Sequence, residues 1–283
     1  MKIKITEAQF KNLKDTYRMG FDKSSGCGHI SENIEDEVEA SEIDLSSFEP
    51  QKQLSQEIWD GDKLDSRVRL ALLDIAEDFI DTLNLDWVKD KDIVLTGSIC
   101  NYNWSNYSDI DIHVIYDFSE IDDNTELVRA YADAKKKEWS INHEDLTIYG
   151  FNVELYVEDS NEPPVSSGVY SLKKNKWIKK PSKENIRLHS EKEIKDLSAE
   201  LMTMIDEVEL CYEAADYDAA LEHVQDKVLE IWDLIKKMRK SQLADEGEMS
   251  IGNIAYKILR REGYIDKLHQ LRNSIYDEIN SIS

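Results

Sequence analysis

The chain has 283 residues and 32.8 kDa, with 41% hydrophobic and 33% charged residues. That supports one ample core or two modest ones, and it argues against wholesale disorder and against a membrane protein. With 59 acidic residues against 35 basic ones the formal charge is -24, so the body repels phosphate backbones and long duplex nucleic acid is not the expected partner. A local basic patch can still handle a nucleotide. Cys27, Cys100 and Cys211 lie far apart with no CxxC pair, which fits a reducing cytosol rather than a disulfide scaffold. The opening Met1-Lys2-Ile3-Lys4-Ile5-Thr6 has no apolar leader and no run approaches eighteen apolar residues. A cytoplasmic protein with no membrane partner is therefore expected.

Three regions emerge in chain order. Residues 1–57 read as an N-terminal helix and an acidic linker. Thr6 caps Phe10, Leu13 and Tyr17 at helical spacing, and Gly20 stops them. Between Ser31 and Glu49 there are eight carboxylates and no Lys or Arg, the pattern of a solvated strip. Residues 58–183 alternate in period. Asp65 or Ser66 opens a helix through Val68, Leu70, Leu72, Ile75, Phe79 and Leu83. A strand follows at Lys91–Thr96, and another at Asp109–Tyr116. Asp122 or Asp123 opens a helix carrying Leu127, Tyr131, Ala134 and Trp139. A hairpin then turns at Gly150, and a shorter one around Lys174-Asn175 follows the Pro163-Pro164 loop. Residues 184–283 carry only helical stripes, the last broken at Gly263, and read as a helical bundle. The expected fold class is α+β: a mixed sheet with flanking helices plus this C-terminal helical bundle.

The chemistry gathers around Ile93-Val94-Leu95-Thr96-Gly97-Ser98, ten residues, then Asp109-Ile110-Asp111-Ile112-His113-Val114. Alternate strand residues share a face, so Ile110, Ile112 and Val114 point into the core while Asp109, Asp111 and His113 point away from it. Paired carboxylates repel unless a cation stands between them, and their oxygens suit hard divalent ions. On the later strand Phe151–Glu158, Glu154 and Glu158 share the polar face; Glu154 lies deeper and is the better third carboxylate. Three carboxylates around two metals equip a site for in-line nucleotidyl transfer. Gly97-Ser98, at a strand end opening a short helix, offers backbone N–H groups and a hydroxyl to phosphate oxygens.

Gly-Ser, this gap, Asp-x-Asp and a later carboxylate together resemble the DNA polymerase beta-like nucleotidyltransferase superfamily over roughly Asp65 to Val157. The stretch Ile58–Pro181 also resembles uncharacterised nucleotidyltransferase-like proteins of tailed phages. The segments that carry this are Leu95-Thr96-Gly97-Ser98, Asn101-Tyr102-Asn103-Trp104-Ser105, Tyr107-Ser108-Asp109-Ile110-Asp111, Val153-Glu154-Leu155-Tyr156-Val157, and Gly168-Val169-Tyr170-Ser171 with Lys176-Trp177-Ile178. The resemblance implies that Gly97 and Ser98 hold phosphates and that Asp109 and Asp111 bridge two Mg2+ (or Mn2+) ions. It gives Glu154 a place at the ion that activates the attacking hydroxyl, as ligand or as proton acceptor. It implies transfer of an NMP from an NTP, ATP among them, to a hydroxyl acceptor with release of pyrophosphate. The acceptor is open: protein, RNA end, nucleotide or small molecule. If the chain is phage-encoded, the compartment is the host cytoplasm.

Six lysines between Lys173 and Lys183 reverse the local charge. They read as a solvated hairpin or as a triphosphate clamp, with Lys174 and Lys176 as nucleotide-binding residues and Trp177 as a stacking platform. Lys135, Lys136 and Lys137 read as a solvated helix face. Tyr102, Trp104 and Tyr107, in the gap before the aspartates, wall the site, stack on a base or pack. The absence of GxxxxGK[ST] excludes a P-loop enzyme, and no GxSxG supports a hydrolase. A catalytically inactive nucleotide-binding protein, or a structural or interaction protein of a phage, is the alternative.

Overall fold

The computed structural model describes residues 38–163, 166–183, 190–215 and 218–281, with side chains at 218–219 and 244–246 left aside. The helix expected after Thr6, Cys27 and Pro164 lie outside the described residues. The described residues fall into two compact units, one from residues 46–183 and one from residues 38–45 with 190–281. No described helix is long and apolar enough to cross a membrane.

The mixed unit holds six strands in the order β5-β6-β4-β3-β7-β8, and β1 (Trp59–Asp60) and β2 (Lys63–Leu64) form a separate ribbon. The central strand β3 (Asp92–Thr96) is buried at every position, as its run of β-branched and aliphatic residues dictates. It pairs antiparallel with β4 (Ile110–Tyr116) and with β7 (Val169–Ser171). The pair β4 and β6 (Phe151–Asp159) is parallel, with the crossover made by helix α2 (Thr125–Asn142). Strand β5 (Thr147–Ile148) leads into β6 through Tyr149 and Gly150, both at positive φ, the geometry of a two-residue hairpin turn. Strand β8 (Lys176–Lys179) closes the other edge.

Helix α1 (Ser66–Leu83) starts where expected, because the Asp65 carboxylate accepts the N–H groups of Arg67 (2.8 Å) and Val68. It buries Val68, Leu72, Ala76, Phe79 and Leu83, while Leu70 stays exposed. Helix α2 is capped by Asn124 rather than by Asp122 or Asp123. Its buried stripe is Val128, Ala132 and Trp139, one position from the expected Leu127 and Tyr131, which are exposed. The Tyr131 hydroxyl donates to the Leu83 carbonyl instead (2.7 Å). Trp139 meets Phe79 edge-on and joins α2 to α1.

Of the segment expected as acidic linker, residues 31–37 lie outside the described residues, and the described part from residue 38 is not all solvated chain. Ala40–Glu42 and Ser46–Phe48 are short 3-10 turns, and Ile43, Leu45, Phe48 and Leu54 are buried. The apolar residues spaced among the carboxylates explain the difference.

In the helical unit the described residues form α3 (Glu191–Glu213), α4 (Asp218–Glu246), α5 (Ile251–Arg261) and α6 (Tyr264–Asn280). Gly263, at φ +80°, makes the break between the last two. Buried Ile, Leu, Val and Met stripes from all four helices face one another.

Candidate active site

The site is built where β3 ends and β4 begins. Thr96 is the register partner of Asp111, so the turn after β3 lies beside that aspartate. Gly97 follows at φ +76° and ψ -164°, a region open in practice to glycine alone. The side chain it lacks has no room either: a Cβ there would stand 1.8 Å from Asp111 Oδ2. Asp111 thus packs its carboxylate directly on the Gly97 backbone. Ser98–Cys100 form a single 3-10 turn.

The ten-residue gap is tied at both ends. The Ser98 and Ser108 hydroxyls are hydrogen-bonded (2.8 Å), and the Ser105 N–H donates to Ser108 Oγ (3.0 Å). Ser108 immediately precedes Asp109, so this bond links the Gly-Ser turn to the aspartates. Of the three gap aromatics, Tyr102 and Trp104 pack on the core, and the Trp104 N–H donates to the Gln53 carbonyl (2.8 Å). Tyr107 keeps 61% of its surface exposed, two residues from Asp109.

Asp111 and Glu154 are register partners across the parallel β4–β6 pair, about 4.8 Å apart along the sheet as neighbouring strands are. Asp109, Asp111 and Glu154 are all partly buried. Burial first, then the charges of Glu154, Asp111 and Asp109, push the Tyr156 hydroxyl far above its usual range. That hydroxyl donates to Glu154 Oε2. Lys136 of α2 reaches the same oxygen at 3.5 Å, with its ammonium 3.3 Å from the centroid of the Tyr156 ring.

One step further along the same face, His113 stacks on Tyr156 and its Nδ1 lies 2.8 Å from Glu158 Oε1. This pairing with His113 outweighs burial and holds the Glu158 carboxyl below its usual range. Glu158 is thereby occupied by His113, beside Ile115 rather than beside Asp111. Cys100 is fully buried, and burial and Asp111 raise its thiol well above the ordinary value, so it stays a neutral thiol.

The donor types fit a hard divalent cation: three carboxylates on one face, one of them seated on a cradle that a Cβ would fill. Among the described residues no three His, Cys, Asp or Glu side chains stand converged as around a bound ion. Glu154 is turned to Tyr156 and Lys136.

The lysine hairpin lies elsewhere on the sheet. Val94 pairs with Ser171, so the Leu172–Asn175 turn lies at the Asp92 end of β3. Lys174 binds Asp92 Oδ2 there (2.7 Å), and Lys173 binds Asp90. The Asp92 end is four residues, about 13 Å, from Thr96. Lys176 pairs with Ser171 on β8, three strand spacings or about 14 Å from β4. Neither Lys174 nor Lys176 stands with the aspartates. Trp177 is no open platform: it stacks on Trp59 (4.6 Å, 13°) and donates its N–H to the Asp62 carbonyl (2.7 Å).

Lys136 is the residue that sequence reasoning missed. Its signal was present, since position 136 continues the stripe of Val128 and Ala132 at a spacing of four. A lysine on a core stripe needs an acidic partner.

Residues 74–181 match the family model described as nucleotidyltransferase domain. This segment is similar to nucleotidyltransferase domains. The matched residues hold the Gly-Ser turn, both aspartates and Glu154 within one mixed sheet. No curated protein matches the chain. Among solved structures it is similar to the STING-associated CdnE c-di-GMP synthase from Capnocytophaga granulosa, at 11% identity over 96% of this chain and 99% of that one. The TM-score of 0.21 is too low to carry an inference.

Proposed function

We propose that the nucleotidyltransferase domain moves a nucleoside monophosphate from an NTP to a hydroxyl acceptor at Asp109, Asp111 and Glu154. The observation that carries this reading is the register pairing of Asp111 with Glu154 beside Gly97, whose missing side chain is replaced by the Asp111 carboxylate. Two Mg2+ or Mn2+ ions on these carboxylates would supply Lewis-acid polarisation of the α-phosphate and a more acidic acceptor hydroxyl. The backbone at Gly97 and the Ser98 hydroxyl hold phosphate oxygens and orient the NTP. Glu154 faces the acceptor side, where it serves as ligand or takes the hydroxyl proton. The acceptor oxygen bonds to the α-phosphorus as the bond to the bridging oxygen breaks, and pyrophosphate leaves.

The chain's charge disfavours long nucleic acid, which leaves a protein, an RNA end, a nucleotide or a small molecule as acceptor. The test is incubation with each α-labelled NTP and Mg2+ or Mn2+, reading pyrophosphate. Asp109→Asn and Asp111→Asn are expected to abolish release while the thermal midpoint holds or rises, because a repelling charge is removed. Full release by both variants sinks the assignment. Nucleotide binding without release by the unaltered chain makes the domain a binding module.

A further inference from the structure

Helix α2 turns Val128, Ala132 and Trp139 to the interior, and Lys136 shares that stripe. Burying an ammonium among such residues is unfavourable unless a counter-charge waits for it. The counter-charge here is Glu154. β5 pairs with Phe151 and Asn152, and the Leu146 carbonyl takes the Val153 N–H, so among the described residues β6 is an edge from Glu154 onward. Lys136 lies against that edge, 3.5 Å from Glu154 Oε2 and over the Tyr156 ring. Its side chain is 25% exposed and that of Glu154 33%, so the pair is only partly screened by water.

The third carboxylate is thus already served by a cation of the chain's own. We propose that Lys136 is a positioning residue, the resident counter-ion of Glu154, and that it competes with a divalent cation for that carboxylate. The proposal rests on the reading of Glu154 as a metal ligand. Lys136 neutralises Glu154 beside Asp111 when no metal is bound, which keeps two register-paired carboxylates from repelling each other across β4 and β6. It equally holds Glu154 away from an incoming ion. Glu154 then joins Asp109 and Asp111 at an ion only as its ammonium lets go.

The test titrates the full chain with Mn2+ alone, without nucleotide, by calorimetry, and follows thermal unfolding of the metal-free protein. Lys136→Met is expected to bind Mn2+ about tenfold more tightly than the unaltered chain, a usual size for coupling between two sites. Its metal-free midpoint is expected to fall. Lys136→Gln, with a polar stem end, is expected to do the same, and Lys136→Arg to keep the original affinity. In a Glu154→Gln background, Lys136→Met is expected to leave Mn2+ affinity unchanged, because the contested carboxylate is gone. Unchanged or weaker Mn2+ binding by both Lys136→Met and Lys136→Gln, with Asp111→Asn abolishing it, overturns the counter-ion role alone. Mn2+ binding that Asp111→Asn does not alter overturns the metal reading and the counter-ion role with it.

Discussion

Replacing Gly97 by alanine tests the site at its tightest point. Two penalties add. The backbone at φ +76° and ψ -164° lies in a region that costs a non-glycine residue of order 1–3 kcal/mol. The new Cβ would stand 1.8 Å from Asp111 Oδ2, against an ordinary contact of 3.4 Å, so the carboxylate must retreat by about 1.6 Å. Displacing a reacting group by about 1 Å is enough for a roughly 100-fold loss of rate. Gly61 supplies the control. It too has positive φ (+60°), but a Cβ there meets nothing within 4 Å. Gly61→Ala therefore carries a conformational penalty without a clash. Both variants are expected to lower the thermal midpoint by a few degrees, as about 1–2 kcal/mol does in a chain of this size. Gly97→Ala alone is expected to reduce pyrophosphate release from NTP by at least about 100-fold. Equal release by the two variants, with matched stability, would show that Asp111 does not need its seat on Gly97, and the site as assembled would be wrong.

Exchanging Lys174 and Lys176 for Gln is expected to leave NTP affinity and its salt dependence unchanged in equilibrium binding at low and high salt, since both stand far from the aspartates; weakened affinity would refute that placement. In the helical unit, Tyr264 donates to Asp206 (2.9 Å), and burial and that bond raise its hydroxyl to about 12. Lys267 loses solvation by burial, but hydrogen bonds to Asp206 and Glu209 outweigh this and raise its ammonium above the usual range. Both folded pKa values lie above their unfolded values of 10.0 and 10.5, so the stability they lend is whole below about pH 10 and drains as pH rises toward 12 and beyond. Urea unfolding from pH 8 to 12 is expected to show this alkaline loss, and the double variant Tyr264→Phe, Lys267→Met to flatten it.

What local pattern encodes, the sequence alone revealed. Strand alternation placed Ile110, Ile112 and Val114 inward and the aspartates outward, because a pleated chain has no other option once one face is buried. The Gly-Ser turn, the hairpin at Gly150 and the helix break at Gly263 were legible because each needs a residue without a Cβ. The Glu154 alternation was legible for the same reason as that of β4. What lay beyond reach depended on register and on packing between distant segments. Nothing local says that Thr96 stands beside Asp111, or that Val94 stands beside Ser171. The first pairing seats a carboxylate on Gly97; the second carries Lys174 to the opposite end of β3. The α2 stripe lies one position from the expected one: Val128 and Ala132 are buried, while Leu127 and Tyr131 are exposed. That same rotation took Lys136 from a solvated run and set it against Glu154. Hydrophobic periodicity counts apolar residues; only the tertiary fold decides which charge a half-buried lysine will meet.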